Sequence, residues 1–402
     1  MVVLRLFVNS KQKAIGTKTM KITCIKTHHV RCELKEPFGF SQWFYGQRNV
    51  LLVEVITDCG ISGWGECYGP ADVIQGAVDK FYAPRLLGMD AICTEKLWHY
   101  MWRASLDFAR SGVMMAAMSG LDMALWDLKG KALNMSVSDL LGGCERQQVP
   151  CYATGMYYTD LPENELLESL VKEALEYREQ GFKAMKIKVG KNVAFDEKLI
   201  VAMRNSLPDT VLAADSNHAY DLPEAVRIAK VLEQNDYAWF EEPLSPEHTD
   251  LFTKLQATTS VPIATGECEQ TRFGFKRLID SLGVQLVQAD LGYCGGISEA
   301  VKIRALASAS GLNMIPHVWG TQLNLAAATH FLATSYHEPG RKEAKELFLE
   351  YDRTENPLRD ELYKKEVLVE NGYAVVPNGP GLGVEIDEAA LAQFTVNSTE
   401  AK

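Results

Sequence analysis

Hydrophobic and polar positions divide the chain into two regions with different periods. In the first region, apolar runs of strand length are separated by turn residues such as Cys59-Gly60, which predicts a three-stranded meander. The predicted strands cover residues 22–31, 49–56 and 61–67. Residues 71–142 follow as helices, because apolar side chains recur three and four positions apart across Ala116–Ala132.

From Val149 onward, short β-like runs alternate with amphipathic segments of helical length. The eight runs are Cys151–Thr154, Ala184–Lys188, Val211–Asp215, Ala238–Glu241, Pro262–Glu267, Leu286–Asp290, Asn313–His317 and Leu347–Glu350. Repeated units of this length predict parallel strands joined by right-handed helical crossovers. Eight such strands can close into a barrel, which places its chemistry at the carboxyl ends of the strands.

Composition excludes several classes of function. The 402 residues carry a formal net charge of −11 with a pI of about 5.4, so a nucleic-acid or membrane-surface partner is not expected. No apolar stretch has the length of a membrane span. The nine cysteines are scattered without a CxxC pair, which predicts neither a disulfide framework nor a structural zinc site and favours a cytoplasmic location.

Acidic residues end three successive predicted strands. Asp215, Glu241 and Glu267 lie 26 residues apart, the length of one strand–helix unit, so all three carboxylates should reach one rim of the barrel. Clustered anions repel one another unless a cation lies among them. Hard oxygen ligands with room left for substrate predict a Mg²⁺ site.

Lys186 and Lys188 end the second strand and face the same side of it. Each lysine, together with the metal expected nearby, makes the other harder to protonate, so one lysine is expected to have a lowered pKa and to act as a general base.

Asp290 and His317 end adjacent strands, and an aspartate bonded to one imidazole nitrogen fixes the tautomer and raises the basicity of the other nitrogen. Glu350 ends the eighth strand and could form a hydrogen bond with a substrate carboxylate, although Glu346 is a competing choice.

From Met20 onward, the chain resembles the enolase superfamily, in its mandelate racemase-like branch. The resemblance rests on the helix Ala117–Lys131 with Leu140-Leu-Gly142, and on the series of strand-end residues. It implies an α/β fold: a (β/α)7β TIM-like barrel with an α+β capping domain. The expected segments are a disordered extension (1–19), the capping domain (20–145), the barrel (146–366) and a C-terminal segment that returns to the cap (367–402).

The resemblance also implies roles for the strand-end residues. Asp215, Glu241 and Glu267 correspond to Mg²⁺ ligands, Lys188 to one base, and His317 with Asp290 to the opposing base. Lys186 corresponds to a cation near the substrate carboxylate, and Glu350 to an acid that bonds the developing enediolate. Such sites use Mg²⁺ and a Lys or His base to form an enediolate. Dimers or octamers are usual in that family.

Substrate selection is expected to lie mostly in the cap. The loop 36–48 should fold over the barrel mouth and mixes aromatic with polar side chains. We predict substrate contacts by Gln42, Trp43 and Tyr45 from this loop and by Asn217 from the barrel. The polar members favour a hydroxylated small-molecule carboxylate.

The predicted reaction is dehydration of an acid sugar to a 2-keto-3-deoxy acid. Racemisation or epimerisation of a 2-hydroxy acid remains an alternative, because two opposed bases serve both reactions. A non-catalytic binding protein on the same fold is a remoter alternative. A metallohydrolase barrel would need a His-x-His pair, and a nucleotide-binding protein a P-loop; the sequence contains neither.

Overall fold

A computed structural model describes residues 19–336 and 346–402. The extension predicted for residues 1–19 therefore falls almost wholly outside the described residues. Within the described part of the chain, no helix is both long enough and apolar enough to cross a membrane.

The strands, numbered in chain order, share two main sheets and one small one. They are β1 Ile22–Gly39, β2 Phe44–Thr57, β3 Ser62–Cys67, β4 Gln148–Thr154, β5 Ala184–Lys188, β6 Val211–Asp215, β7 Trp239–Glu241, β8 Ile263–Thr265, β9 Leu286–Val287, β10 Asn313–Met314, β11 Leu349–Asp352, β12 Tyr363–Lys365, β13 Val369–Glu370, β14 Tyr373–Val375, β15 Glu385–Ile386 and β16 Thr395–Ala401.

The helices fall into a cap group, a barrel group and two short C-terminal helices. They are α1 Ala71–Ala77, α2 Ala83–Leu86, α3 Thr94–Ser105, α4 Val113–Leu133, α5 Val137–Leu140, α6 Glu163–Glu179, α7 Val193–Ser206, α8 Leu222–Gln234, α9 Thr249–Gln256, α10 Thr271–Asp280, α11 Ile297–Ala309, α12 Gln322–Ala333, α13 Pro357–Asp360 and α14 Glu388–Phe394. A π-helical turn, Val78–Tyr82, joins α1 to α2.

The cap sheet is antiparallel with the order β16-β1-β2-β3. The predicted meander is therefore present, and β16 from the C-terminal segment adds a fourth strand along β1. The segment predicted as a loop over 36–48 is instead the tip of a long β1–β2 hairpin, because the two strands stay paired as far as Gly39 and Phe44. We call residues 38–45 of this tip the lid.

The barrel consists of β4 to β11 with the seven helices α6 to α12 between them, which is the (β/α)7β order. Parallel ladders run from β4 through β10, and β11 pairs with β4 on the other side. Among the described residues no ladder joins β10 to β11. The strands are buried on both faces, so they are continuous apolar runs rather than alternating ones.

Several barrel strands are shorter than the apolar runs that predicted them. The strands β8, β9 and β10 end at Thr265, Val287 and Met314, although the next N–H groups, those of Gln288 and Ile315, still donate to the neighbouring strand. Glu267 and His317, like Asp290, are therefore loop residues that follow strands, and not strand ends as predicted. An apolar run in the sequence indicates that residues are buried, and the buried residues extend beyond the end of each of these strands.

The long helix α4 joins the cap to the barrel. Asp122 on its middle turn accepts hydrogen bonds from the backbone N–H and the hydroxyl of Ser298 at the start of α11, at 2.8 and 2.6 Å. Trp126 Nε1 donates to the same hydroxyl at 2.8 Å. Burial raises the pKa of Asp122 to about 7. This helix is buried almost all round, because it lies between the cap sheet and the barrel.

The predicted C-terminal segment 367–402 divides between the two layers. Its hairpin β13–β14 pairs with the first barrel strand β4, whereas β16 lies in the cap sheet. The domain boundaries themselves stay predictions.

Close packing of β3 on α4 generates a stability prediction. A Cβ atom on Gly65 would lie 2.0 Å from the carbonyl oxygen of Gly120, which is backbone and cannot move aside. We expect Gly65→Ala to lower the free energy of unfolding by at least about 1–3 kcal/mol, as measured by denaturant unfolding. The control is Gly76→Ala at an exposed position of α1, where a Cβ meets nothing within 4 Å and should add up to about 1 kcal/mol of stability. Equal stability of Gly65→Ala and wild type would contradict this packing argument.

Candidate active site

Three carboxylates meet at the carboxyl ends of the barrel strands. Asp215 and Glu241 are the last residues of β6 and β7, and Glu267 lies two residues past β8. Gly266 has φ of 137°, which only glycine adopts without strain, and it turns the chain there. One oxygen from each carboxylate lies within 4.8 Å of the others, and all three residues are buried. The structure thus brings together the three residues predicted as metal ligands.

Lys186 lies beneath this cluster as a buried counter-ion. Its ammonium group bonds Glu241, lies 2.8 Å from Glu350 Oε1, and lies 3.6 Å from Asp215 Oδ2. Burial opposes its charge, but these carboxylates outweigh burial and raise its pKa well above the ordinary value. Lys186 is not among the residues that line the cavity described below.

Lys188 reaches the open side of the cluster. Its Nζ donates to Asp215 Oδ2 at 2.5 Å and to Asn217 Oδ1 at 2.8 Å. Burial and the neighbouring Lys186 act to lower its pKa, yet Asp215 outweighs both and the pKa is raised. The predicted lowering, which counted a metal ion as well as the second lysine, stays a prediction, because here Asp215 is paired with the Lys188 ammonium group.

Asp290 and His317 form a hydrogen-bonded pair on another side of the barrel mouth. His317 Nδ1 lies 2.7 Å from Asp290 Oδ2, and its Nε2 lies 3.5 Å from Glu267 Oε2. Burial acts to lower the pKa of His317, but Glu267 and Asp290 outweigh it and raise the pKa to about 10. Asn324 Nδ2 and the Gly292 N–H donate to Asp290 and hold its carboxylate in place.

Glu350 links the two sides of the site. Its oxygens accept from Thr154 Oγ1 at 2.7 Å and from the Val318 N–H at 3.0 Å. Burial acts to raise its pKa, but Lys186 and His317 outweigh burial and lower it to about 2. Glu350 thus accepts hydrogen bonds from both sides of the site, and its role towards the enediolate stays a prediction. The competing Glu346 lies before β11, is exposed, and is absent from the cavity wall.

A cavity of about 170 Å³ opens above these groups. Its wall combines charged residues from the barrel with aromatic and polar residues from the lid and the loops. The lining residues are Phe40, Gln42, Trp43, Tyr45, Tyr68, Tyr157, Lys188, Asn217, His218, Glu267, Cys268, His317, Trp319 and Glu350. Lys188 and His317 both face this space.

The lid is fastened to the barrel. Gly39 and Tyr158 exchange two backbone hydrogen bonds of 2.7 Å, and Ser41 Oγ donates to the Ser216 carbonyl at 2.9 Å. Gln42 Nε2 donates to the Asn217 carbonyl at 2.6 Å, so part of this predicted substrate contact is used to hold the lid. All four predicted substrate contacts, Asn217 among them, line the cavity; their contact with substrate stays a prediction.

Sequence reasoning missed several cavity residues. His218 and Cys268 directly follow two residues that were singled out, Asn217 and Glu267, and Trp319 comes two positions after His317. Adjacency to a strand-end acid or histidine was the available signal. Tyr157 had no such signal, because its place depends on how the lid docks.

The comparisons with known proteins agree with this geometry. The profile of the mandelate racemase/muconate lactonizing enzyme N-terminal domain matches residues 22–142, and that of the enolase C-terminal domain-like family matches residues 169–390. The chain belongs to the enolase superfamily. Its fold is a capped (β/α)7β barrel of this superfamily's mandelate racemase-like branch.

Individual superfamily members are similar over nearly the whole chain. D-galactarolactone cycloisomerase of Agrobacterium fabrum is 39% identical over 93% of this chain and 99% of its own length. Arabinonate dehydratase of Saccharolobus solfataricus is 35% identical over 87% of this chain and 91% of its own length. The crystal structure of 3,6-anhydro-D-galactonate cycloisomerase from Zobellia galactanivorans superposes with a TM-score of 0.85. Its sequence is 42% identical, and the match covers 94% of this chain and 100% of that chain. The chain is an enzyme of the lyase or racemase kind found in this superfamily.

The Asp290–His317 pair generates a prediction. Asp290→Asn keeps the shape of the side chain but can place an N–H against Nδ1, so the imidazole loses its fixed tautomer. We expect kcat to fall by about 100-fold or more with the fold retained, as measured by steady-state kinetics and circular dichroism. The control Asp122→Asn, a buried aspartate away from the cavity, should keep kcat near wild type. An unchanged kcat in Asp290→Asn would remove this pair from the reaction.

Proposed function

We propose that this enzyme removes the α-proton of an acid sugar and expels the β-hydroxyl, giving a 2-keto-3-deoxy acid. The observation that carries the proposal is that Lys188 and His317 face one cavity from different sides, with the three-carboxylate cluster beside both. One group can therefore take a proton from the α-carbon while the other gives a proton to the leaving oxygen.

The carboxylate cluster fits a Mg²⁺ ion. Three anionic oxygens within 4.8 Å of one another supply the hard donors that this ion prefers, and the cavity beside them leaves room for water and substrate. Asp215, Glu241 and Glu267 would hold it. Bound there, Mg²⁺ would supply positive charge for the oxygens of the enediolate that forms from the substrate carboxylate.

The chain's own residues account for the proton movements. With a cation paired to Asp215 in place of the ammonium group, Lys188 would be the neutral amine that accepts the α-proton. His317 donates its Nε2 proton to the β-oxygen as the bond from carbon to that oxygen breaks. Asp290 keeps the proton of His317 on Nδ1 and so directs Nε2 at the cavity. The enol then becomes the 2-keto acid, and the departing hydroxyl leaves as water.

The cavity walls support a hydroxylated substrate. Gln42 and Asn217 present amides, and Tyr45 presents a phenol, on a wall otherwise formed by aromatic rings such as Trp43. Among the described residues that line the cavity, no arginine stands opposite the carboxylate cluster. This favours a substrate with one carboxylate and a neutral polyhydroxy tail.

Cycloisomerisation is a second candidate. Two similar proteins are named as cycloisomerases of a sugar lactone and of an anhydro sugar acid. The chemistry is the same up to the leaving group, because a ring oxygen at the β-carbon can depart in place of a hydroxyl and remain attached. Aromatic rings of Phe40 and Trp319 on the cavity wall offer flat apolar surfaces for one face of a ring.

Racemisation or epimerisation of a 2-hydroxy acid remains the alternative with the same two groups. It requires Lys188 and His317 to act on opposite faces of one carbon, and no leaving group departs. A purely binding role would leave substrate protons unexchanged.

Two further expectations are retained. All nine cysteines lie in the described residues and are unpaired, which supports a reducing, cytoplasmic location. A homodimer or octamer is expected from the family and can be measured by sedimentation.

Metal dependence is tested first by removing the metal. Treatment with EDTA should abolish turnover, and Mg²⁺ should restore it. Changes to groups that only support metal ligands typically weaken binding by about 10–100-fold. Glu267→Gln removes a proposed ligand, so it should weaken Mg²⁺ binding by more than this, as measured by calorimetric titration. The matched control is Glu269→Gln, two positions on and away from the cavity. Full turnover by EDTA-treated wild type would contradict the metal site.

The reaction is tested on a panel of aldonic acids, their lactones and anhydro sugar acids with Mg²⁺ in D₂O. We expect a 2-keto-3-deoxy acid product, because the α-proton and the β-oxygen are both lost. Lys188→Ala and His317→Asn should each lower kcat by about 100-fold or more. Exposed Lys198→Ala and His99→Asn serve as matched controls and should match wild type.

The products separate the candidates. Keto acid from open-chain acids supports dehydration, and keto acid from cyclic acids alone supports cycloisomerisation. Inverted substrate with deuterium uptake and no keto acid would overturn both and leave racemisation. No deuterium uptake into any member of the panel would contradict α-proton abstraction.

A further inference from the structure

A second group of metal-ligand side chains lies beside the carboxylate cluster. It consists of His218, Glu242 and Cys268, whose ligand atoms all lie within 4.8 Å of one another. His218 Nε2 is 3.1 Å from Glu242 Oε2 and 3.6 Å from Cys268 Sγ. The reaction proposed above uses none of the three.

The hydrogen bonds of His218 define where its lone pair points. Its Nδ1 lies 3.2 Å from the carbonyl oxygen of Leu244, and a carbonyl only accepts, so Nδ1 carries the proton. In the neutral ring, Nε2 then presents a lone pair to the Glu242 carboxylate and the Cys268 sulfur. A backbone carbonyl bonded to the distal ring nitrogen is the arrangement found behind metal-bound histidines.

Glu242 supplies an independent observation. Its Oε1 is fully buried, and among the described residues it has no hydrogen-bond partner. Its Oε2 receives a 3.3 Å bond from Asn217 Nδ2 beside the His218 contact. A buried carboxylate oxygen without a donor is expensive, and a cation at the point where the three side chains converge would satisfy it.

The backbone holds this arrangement in place. The His218 N–H donates to the Glu242 carbonyl at 2.8 Å, and Ser216 Oγ donates to the same carbonyl at 2.9 Å. The loops after β6 and β7 are thus tied together directly beneath the three side chains. The ligands would need little rearrangement on binding.

We propose that His218, Glu242 and Cys268 form a binding site for a soft divalent cation of the Zn²⁺ class. Binding joins the metal to Nε2, a carboxylate oxygen and the sulfur, and the thiol proton leaves to solvent. A tetrahedral zinc site with ordinary bond lengths separates N and S by about 3.5 Å, close to the 3.6 Å between Nε2 and Sγ. Thiolate and imidazole select such a metal over Mg²⁺.

The fourth coordination position would face the substrate cavity. His218 and Cys268 both line that cavity, whereas Glu242 is buried behind them. The barrel mouth would therefore hold two unlike cation sites: an all-oxygen site for a hard ion and a mixed N, O, S site for a soft ion. Excess Zn²⁺ should then compete with substrate for the same space.

The test uses Co²⁺ as a spectroscopic probe for the zinc class. The full-length protein, treated with EDTA and then saturated with Mg²⁺, is titrated with Co²⁺. A sulfur-to-cobalt charge-transfer band in the near ultraviolet should grow and saturate at one equivalent, because oxygen ligands alone give no such band. Zn²⁺ added afterwards should remove the band.

Variants assign the band to the site. Cys268→Ser should abolish the band. His218→Gln should weaken Co²⁺ binding by at least about 10-fold, because loss of a group that only supports a ligand already has an effect of about that size. Exposed Cys59→Ser, in the cap turn, is the matched thiol control and should keep the full band. Thermal unfolding curves that overlay wild type would show that Cys268→Ser is folded.

The outcomes are decisive without an activity assay. No band at one equivalent, a band that persists in Cys268→Ser, or loss of the band in Cys59→Ser would each overturn the proposal. Because the readout is spectroscopic, the test of this metal site does not depend on whether the proposed reaction is correct.

Discussion

The site depends on the compensation of buried charges at the barrel mouth. Three carboxylates from β6, β7 and the loop after β8 lie next to two lysines on β5, and all five residues are buried. Either set alone would be strongly unfavourable in this environment. The arrangement is tolerated because Asp215 and Glu241 pair with the lysines and Glu267 lies 3.5 Å from His317. The lysine ammonium groups pair with the same carboxylates that would hold a cation. Binding of a cation therefore also changes the environment of Lys188, the proposed base.

The cap contributes the rest of the cavity and is held to the barrel by polar contacts as well as by packing. Arg48, behind the lid, illustrates this: its guanidinium pairs with Asp352 at 2.8 Å and lies 4.1 Å from the centre of the Trp319 ring. Glu66 of β3 accepts from the backbone N–H groups of Thr321 and Asn324 just past His317. The loop that carries His317 is thus positioned by the cap as much as by the barrel strand before it.

The order of elements and the catalytic rim could be predicted from sequence because both have a strong period. Repeats of one strand–helix unit place Asp215 and Glu241 on the same rim, whatever the details of packing. The ends of β9 and β10 could not be predicted, because the buried residues continue as far as Asp290 and His317 although the strands end earlier. The contact of Lys188 with Asp215 could not be predicted for a similar reason: it depends on distances that only the folded chain defines. The triad of His218, Glu242 and Cys268 has no local motif, since its members come from three different loops.

In the described part of the chain no ladder joins β10 to β11, and this gap has a consequence for how the barrel is expected to fluctuate. Across that gap, the Val318 N–H donates to Glu350 Oε2, so a side chain of the reaction chamber bridges the gap where backbone pairing is absent. Opening of the barrel should be easiest along this line, and it would separate His317 from Glu350 before any other pair of strands parts. A substrate that contacts Glu350 would therefore be expected to stabilise the closed barrel at this position as well as to bind.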